Sequence, residues 1–113
     1  MHEYSIVQSL IESCEDHAEQ NNATKVNKVV VKIGVMSGVE PSLLETAFET
    51  FKEKTICGDA EFIMNIQNVV IKCKSCEKES TLDKLEYYCP ICKSIELDII
   101  DGEDMFLMQL ELD

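Results

Sequence analysis

Between Tyr4 and about Gln20 the apolar positions fall at Ile6, Val7, Leu10, Ile11, Cys14, His17 and Ala18. That spacing of three and four puts them on one face of an amphipathic helix. Cys14 and His17 lie on this stripe, so both read as packed core residues and neither as a metal ligand. Asn21 and Asn22 supply the stop. VNKVVVKIGV follows, dense in β-branched residues from Val26 to Ile33, and predicts a strand with Val29, Val31 and Ile33 sharing a face. GVMSGVEPS is then a loop, with Gly34 and Gly38 as turn glycines. Pro41 opens a second helix whose Leu44, Ala47, Phe48 and Phe51 repeat the helical spacing and which ends near Lys54. A second strand runs from Ala60 to about Gln67, with Phe62, Met64 and Ile66 alternating with Ile63, Asn65 and Gln67, and the pattern resumes from Val69 to Ile71. At the far end MFLMQLEL alternates again, setting Phe106, Met108, Leu110 and Leu112 against Leu107, Gln109 and Glu111.

This order predicts an α+β (mixed α/β) fold: two helices packed on a small, mostly antiparallel sheet, with an inserted four-cysteine zinc-ribbon module. The closing strand must bury one face, and the nearest sheet is the one built before the cysteines. Residues 1–68 plus 103–113 are therefore expected to form the α/β domain and residues 69–102 the ribbon. The DGED turn at Asp101 to Asp104 would bring the chain back, close to its point of departure at Asn68.

Composition narrows the partners. The chain has 113 residues, enough for one ordinary domain with a small excursion. Its 22 acids against 10 lysines, with no arginine, give a formal net charge of -12. Phosphate contacts need clustered positive charge and guanine reading favours arginine, so the balance weighs against nucleic acid as the main partner. The start MHEYSIVQSLIESCEDHAEQ has neither a basic n-region nor an uninterrupted apolar run, which points to no membrane segment and a cytoplasmic protein. Six cysteines in a reducing compartment then read as metal ligands, redox thiols or buried small residues before they read as disulfides. Cys57, in ICGD, reads as a small residue entering a turn at Gly58.

CKSCEKESTLDKLEYYCPIC carries the clearest chemistry. Cys73 and Cys76 form one CxxC knuckle and Cys89 and Cys92 the other, so four thiolates can surround one ion, and zinc is the usual occupant of a closed four-sulfur site. A segment of about 35 residues has too little apolar area to fold without such a cross-link. Thioredoxin-like chemistry uses a single CxxC and leaves the second unexplained. A rubredoxin-type iron site is nearer, yet Glu77 and Lys93 stand where glycine follows each rubredoxin knuckle. A nucleic-acid ribbon would use Lys72, Lys74, Lys78, Lys84 and Lys93, but local acids nearly balance them. These lysines read instead as compensation for the thiolate charge or as a protein-docking face.

Met1, His2 and Glu3 offer a second site. The terminal amine, the His2 amide nitrogen and the His2 imidazole can close fused chelate rings in one plane, a donor set suited to nickel(II) or copper(II), with Glu3 filling the remaining position. The donor chemistry alone leaves the choice of ion open.

MHE running directly into an amphipathic helix, IGVMSGVEPSLLETAFE after the first strand, and CKSC with CPIC near the C-terminal end together resemble the HypA family of hydrogenase nickel-incorporation proteins. The resemblance spans the whole chain. It implies a metallochaperone that carries one nickel(II) on Met1, His2 and Glu3 as cargo and one structural zinc on Cys73, Cys76, Cys89 and Cys92. It also implies the nickel-binding GTPase HypB as partner and the large subunit of [NiFe]-hydrogenase as recipient, with urease and its maturation factors served in some bacteria. A monomer or weak homodimer is expected. Some family members carry histidines beside the ribbon cysteines, whereas residues 72–100 here contain none.

An enzyme is not expected. No nucleophile is placed with a base, and the Gly34–Gly38 loop lacks the lysine and Ser/Thr of a Walker loop, so nucleotide hydrolysis falls to a partner. The alternative is a zinc-ribbon adaptor that binds protein or nucleic acid, with MHE incidental.

Overall fold

The computed structural model describes residues 3–84 and 86–113. Helix α1 (Glu3–Gln20) leads into strand β1 (Val26–Gly34), helix α2 (Pro41–Phe51) and strand β2 (Glu61–Gln67). Three shorter strands follow, β3 (Val70–Cys73), β4 (Glu79–Thr81) and β5 (Leu97–Asp101), before the closing strand β6 (Met105–Leu112). The strands make two three-stranded sheets, ordered β2-β1-β6 and β4-β3-β5. The molecule is elongated, 52 × 27 × 17 Å.

In the first sheet β6 joins the strands built before the cysteines, as expected, pairing antiparallel with β1, while β2 pairs parallel with β1. The parallel pair arises because α2 carries the chain back to the starting end of the sheet, which a tight hairpin cannot do. Val29, Val31 and Ile33 are buried under the helices with Val7, Leu10, Ile11, Leu44 and Phe48. Phe48 stacks on Phe62 at 4.2 Å between ring centroids, and Tyr4 meets Phe51 edge to face at 5.1 Å. Emptying the fully buried Phe48 position would cost about 3–5 kcal/mol, so this pair is a main tie between α2 and β2.

Four expectations are corrected. The face of β6 that packs on the core is Met105, Leu107, Leu110 and Leu112, while Phe106 and Met108 are about half exposed. A register shift opposite Val30 and Val31 inserts Met108 as an extra residue, and such a bulge moves every following side chain to the other face. His17 is exposed. The buried stripe runs through Val7, Leu10, Ile11, Cys14 and Ala18, and at ~100° per residue His17 stands roughly 80° from its centre. Helix α2 stops at Phe51, before Lys54, which takes φ 66, a left-handed conformation that no helix continues through. Gly34 is the last residue of β1 and is needed for close packing, whereas Gly38, at φ 77, is the turn glycine.

The second sheet has a small core of its own, Val69, Ile71 and Leu82, flanked by Leu97 and Ile99. The two sheets meet where the chain passes from Gln67 to Val70 and returns through Gly102. Three backbone hydrogen bonds sew this seam: Gly34 N–H to Asp104 at 2.9 Å, Val35 N–H to Gln67 at 3.0 Å and Met36 N–H to Gly102 at 2.9 Å. Lys32 of β1 adds an ion pair to Asp101 at 2.9 Å. No helix of the described residues is long and apolar enough to cross a membrane.

Candidate metal centre

Each knuckle is a tight turn closed by its own backbone. In the first, Glu77 N–H donates to Cys73 O at 2.9 Å and Cys73 N–H to Lys78 O at 3.0 Å. In the second, Lys93 N–H donates to Cys89 O at 2.8 Å and Cys89 N–H to Ser94 O at 2.8 Å. The two turns are near copies, and each needs a left-handed residue after its second cysteine: Glu77 at φ 61 and Lys93 at φ 67. These are the positions where glycine would be easiest. A hydrogen bond from Ser75 Oγ to Ser94 Oγ, 2.9 Å, links the knuckles, and Lys74 N–H to Glu96 O holds the first against the segment that leads into β5.

The turns bring all four sulfurs within 4.8 Å of one another, with Cys73 to Cys92 at 3.5 Å and Cys76 to Cys89 at 3.7 Å. Sulfurs about 2.3 Å from a tetrahedral zinc stand roughly 3.8 Å apart, so the cage fits that ion in size. Cys73 and Cys89 are buried and Cys92 is exposed, which leaves the cage open on one side to incoming metal.

The electrostatics suit a cation. The N–H groups of Cys76 and then Ser75 point at the Cys73 sulfur and hold its thiol down to about 6. The N–H groups of Cys92 and Ile91, at 3.5 and 3.4 Å, lower Cys89 in the same way. Cys92, although the Ser94 N–H favours its thiolate, is pushed up to about 11, chiefly because Cys73 shares its proton. Crowded sulfurs share protons in this manner until a cation replaces them. Lys74 pairs with Asp98 at 3.5 Å, and Lys93 lies 5.0 Å from the Tyr88 ring centroid, so two of the ribbon lysines have partners other than the thiolates.

Cys14 and Cys57 take no part in this cluster. Both are fully buried in the helical core, and the Cys14 thiol is raised, first by its hydrogen bond to Cys57 and then by burial, so it stays neutral.

At the other end of the chain, Met1 and His2 lie outside the described residues. Glu3 opens α1 and is 6% exposed. Its Oε2 accepts the backbone N–H of Glu40 at 3.3 Å, where Glu40 is the N-cap of α2. The carboxylate of Glu3 thus ties the starts of the two helices together, a role that the sequence does not signal because Glu40 is remote along the chain. The loop that supplies Glu40 also reaches the ribbon, since Tyr87 donates its hydroxyl to Met36 Sδ at 3.5 Å.

Residues 1–112 match the family described as hydrogenase/urease nickel incorporation, metallochaperone, HypA. The chain is 57% identical over 113 residues to the hydrogenase maturation factor HypA of Shewanella oneidensis, covering all of this chain and 96% of that protein. It is 58% identical to the hydrogenase maturation factor HypA of Aquifex aeolicus, covering 98% of it. The fold is similar to a solution structure of the nickel metallochaperone HypA from Helicobacter pylori, with a TM-score of 0.71 and 41% identity over 99% of this chain and 97% of that one.

Proposed function

Because this chain belongs to the HypA family of hydrogenase/urease nickel-incorporation metallochaperones, we propose that it carries one nickel(II) on Met1, His2 and Glu3 and releases it during [NiFe]-hydrogenase maturation. Met1 supplies the amine, His2 its amide nitrogen and imidazole, and Glu3 completes the donor set. Nickel is cargo, so the protein is a carrier and not an enzyme. The GTPase HypB acts beside it in the cytoplasm, the hydrogenase large subunit receives the ion, and urease maturation is a second destination.

The ion of the four-cysteine cage is zinc, held by Cys73, Cys76, Cys89 and Cys92 as a resident structural metal. The closed set of four sulfurs leaves it no position for substrate. Residues 1–68 plus 103–113 act as the nickel-binding domain and residues 69–102 as the zinc ribbon. Support comes above all from a family match that runs from the first residue to the last strand and so includes both sets of donors.

Calorimetric titration of nickel into the tag-free, zinc-loaded protein tests the reading, alongside His2→Ala and a chain with one extra N-terminal residue. One strong site in the parent, absent from both altered chains with zinc content unchanged, is the expected result. Equal binding by all three would remove the N-terminal chelate and return the ribbon to the role of an adaptor.

A further inference from the structure

Strand β6 is an edge strand. It pairs with β1 on one side and, among the described residues, with no strand on the other. Exposed edges are normally blunted by lysine, proline, bulges or an overlying element. MFLMQLEL has neither lysine nor proline, and its one bulge, at Met108, turns that side chain outward. Eight residues of edge at about 3.3 Å each give a ledge roughly 26 Å long.

Helix α1 runs beside this ledge without covering it. Ser5, Ser9, Ser13, His17 and Asn21 recur every fourth residue along the flank that faces β6, and the serines are too short to reach across. Two open grooves result. One of about 410 Å³ lies between Ser5, Ser9 and Ser13 and the start of β6 at Met105 and Leu107, and one of about 420 Å³ lies between His17 and Asn21 and the rest of the strand. The floor of the first is apolar, while the second is mixed, with Gln109 beside Leu110 and Leu112.

The charge around the ledge has one sign. Helix α1 contains five acids and no lysine, and Glu12 and Asp16 stand three residues after Ser9 and Ser13, on the solvent side of the groove. Among the described residues no salt bridge engages Glu12, Glu15, Asp16 or Glu19. Glu103 and Asp104 precede β6 and Asp113 follows it. Lys28 and Lys32, on β1, are committed to Glu111 and Asp101. A second copy of this chain, at -12, would bring the same charge to the same edge.

We infer that the free edge of β6 and the groove beside α1 form a docking site for an extended, basic segment of a partner protein. The segment adds as a fourth strand, its apolar side chains entering the groove beside Ser5, Ser9 and Ser13 and its lysines or arginines meeting the acids of α1. Backbone pairing supplies the affinity, and the acid rim selects the sign of the partner. The site shares no residue with the proposed nickel or zinc ligands and stands whether or not the nickel assignment does.

The test uses the full zinc-loaded chain and a capped octapeptide of alternating valine and lysine, with a valine and glutamate peptide as its counterpart. Backbone hydrogen exchange is followed with and without each peptide. Slowed exchange confined to residues 105–112 and the facing flank of α1, with the lysine peptide only and weakened by salt, is expected. Met108→Lys, at a position already exposed, should weaken that binding at least tenfold while leaving zinc content and melting temperature unchanged. No protection of β6, equal response to the acidic peptide, or undiminished binding by M108K would overturn the inference. So would β6 protection that rises with protein concentration in the absence of peptide, which would assign the edge to a second copy.

Discussion

Gly34 of β1 and Gly102 of the return turn meet backbone to backbone at the seam between the two sheets, so closely that a Cβ on Gly34 would collide with the Gly102 carbonyl. A Cβ on Gly102 would fall 2.7 Å from Val69 Cα, and its φ of 97 is one that only glycine adopts without strain. Gly34→Ala and Gly102→Ala should each destabilise the protein by about 2–4 kcal/mol, because backbone on both sides has nowhere to move. Urea unfolding of the zinc-loaded variants measures this, with Gly58→Ala, which meets only ordinary contacts, expected to be nearly neutral.

The Lys32–Asp101 pair crosses the same seam and should make its strength depend on pH. The Lys32 amine, and then the Gly102 N–H at 2.8 Å, hold the Asp101 carboxyl below its ordinary range. A carboxylate whose folded pKa is depressed contributes stability above its unfolded value, about 3.9, and loses it as pH falls through the folded value. The stability difference between the parent and Asp101→Asn should therefore be present near neutrality and shrink as pH falls below about 4. Unfolding midpoints taken across that range check the sign.

Glu77 and Lys93 hold left-handed conformations that cost an L-residue about 1–2 kcal/mol each. Glu77→Gly should raise stability toward metal removal by up to about 1 kcal/mol, after the added flexibility of the unfolded glycine is subtracted. Lys93→Gly should gain less, since it gives up the contact with Tyr88. Chelator titrations of the metal-loaded variants order the three proteins.

Removal of the ribbon metal should unfold β3, β4 and β5 and spare the helical core. Val69, Ile71 and Leu82 are too few to hold a sheet, whereas the helical cluster buries Phe48, Leu44, Val29 and their neighbours without help from a metal. Hydrogen exchange after chelation should rise sharply in residues 70–101 and little in Val29 to Ile33. Uniform loss of protection would show that the two cores fold as one.

The parts of the fold that were legible in the sequence are those set by local pattern. Helix α1 follows from its stripe, β1 from Val26 to Ile33, and the sulfur cage from two knuckles whose turns need no distant residue. What was hidden depends on contacts between remote positions. The bulge at Met108 is fixed by how β6 must register on β1, so Phe106 and Met108 appear to belong to the core face until the pairing is known. His17 sits at the margin of its stripe, where spacing alone cannot separate covered from exposed. Gly34 reads as a turn residue because Gly102, its reason for being glycine, is far away in the chain. Glu3 was visible as a candidate ligand, but its bond to Glu40 required the two helix starts to be brought together.

X-ray absorption at the nickel and zinc edges of one doubly loaded sample tests the central claim, two ions on two unlike sets of donors. The account predicts nickel surrounded by nitrogen and oxygen alone in a planar array, and zinc with four sulfurs at about 2.3 Å in the same molecules. Sulfur around nickel, or nickel uptake matched by loss of zinc, would place the cargo in the ribbon cysteines and contradict it.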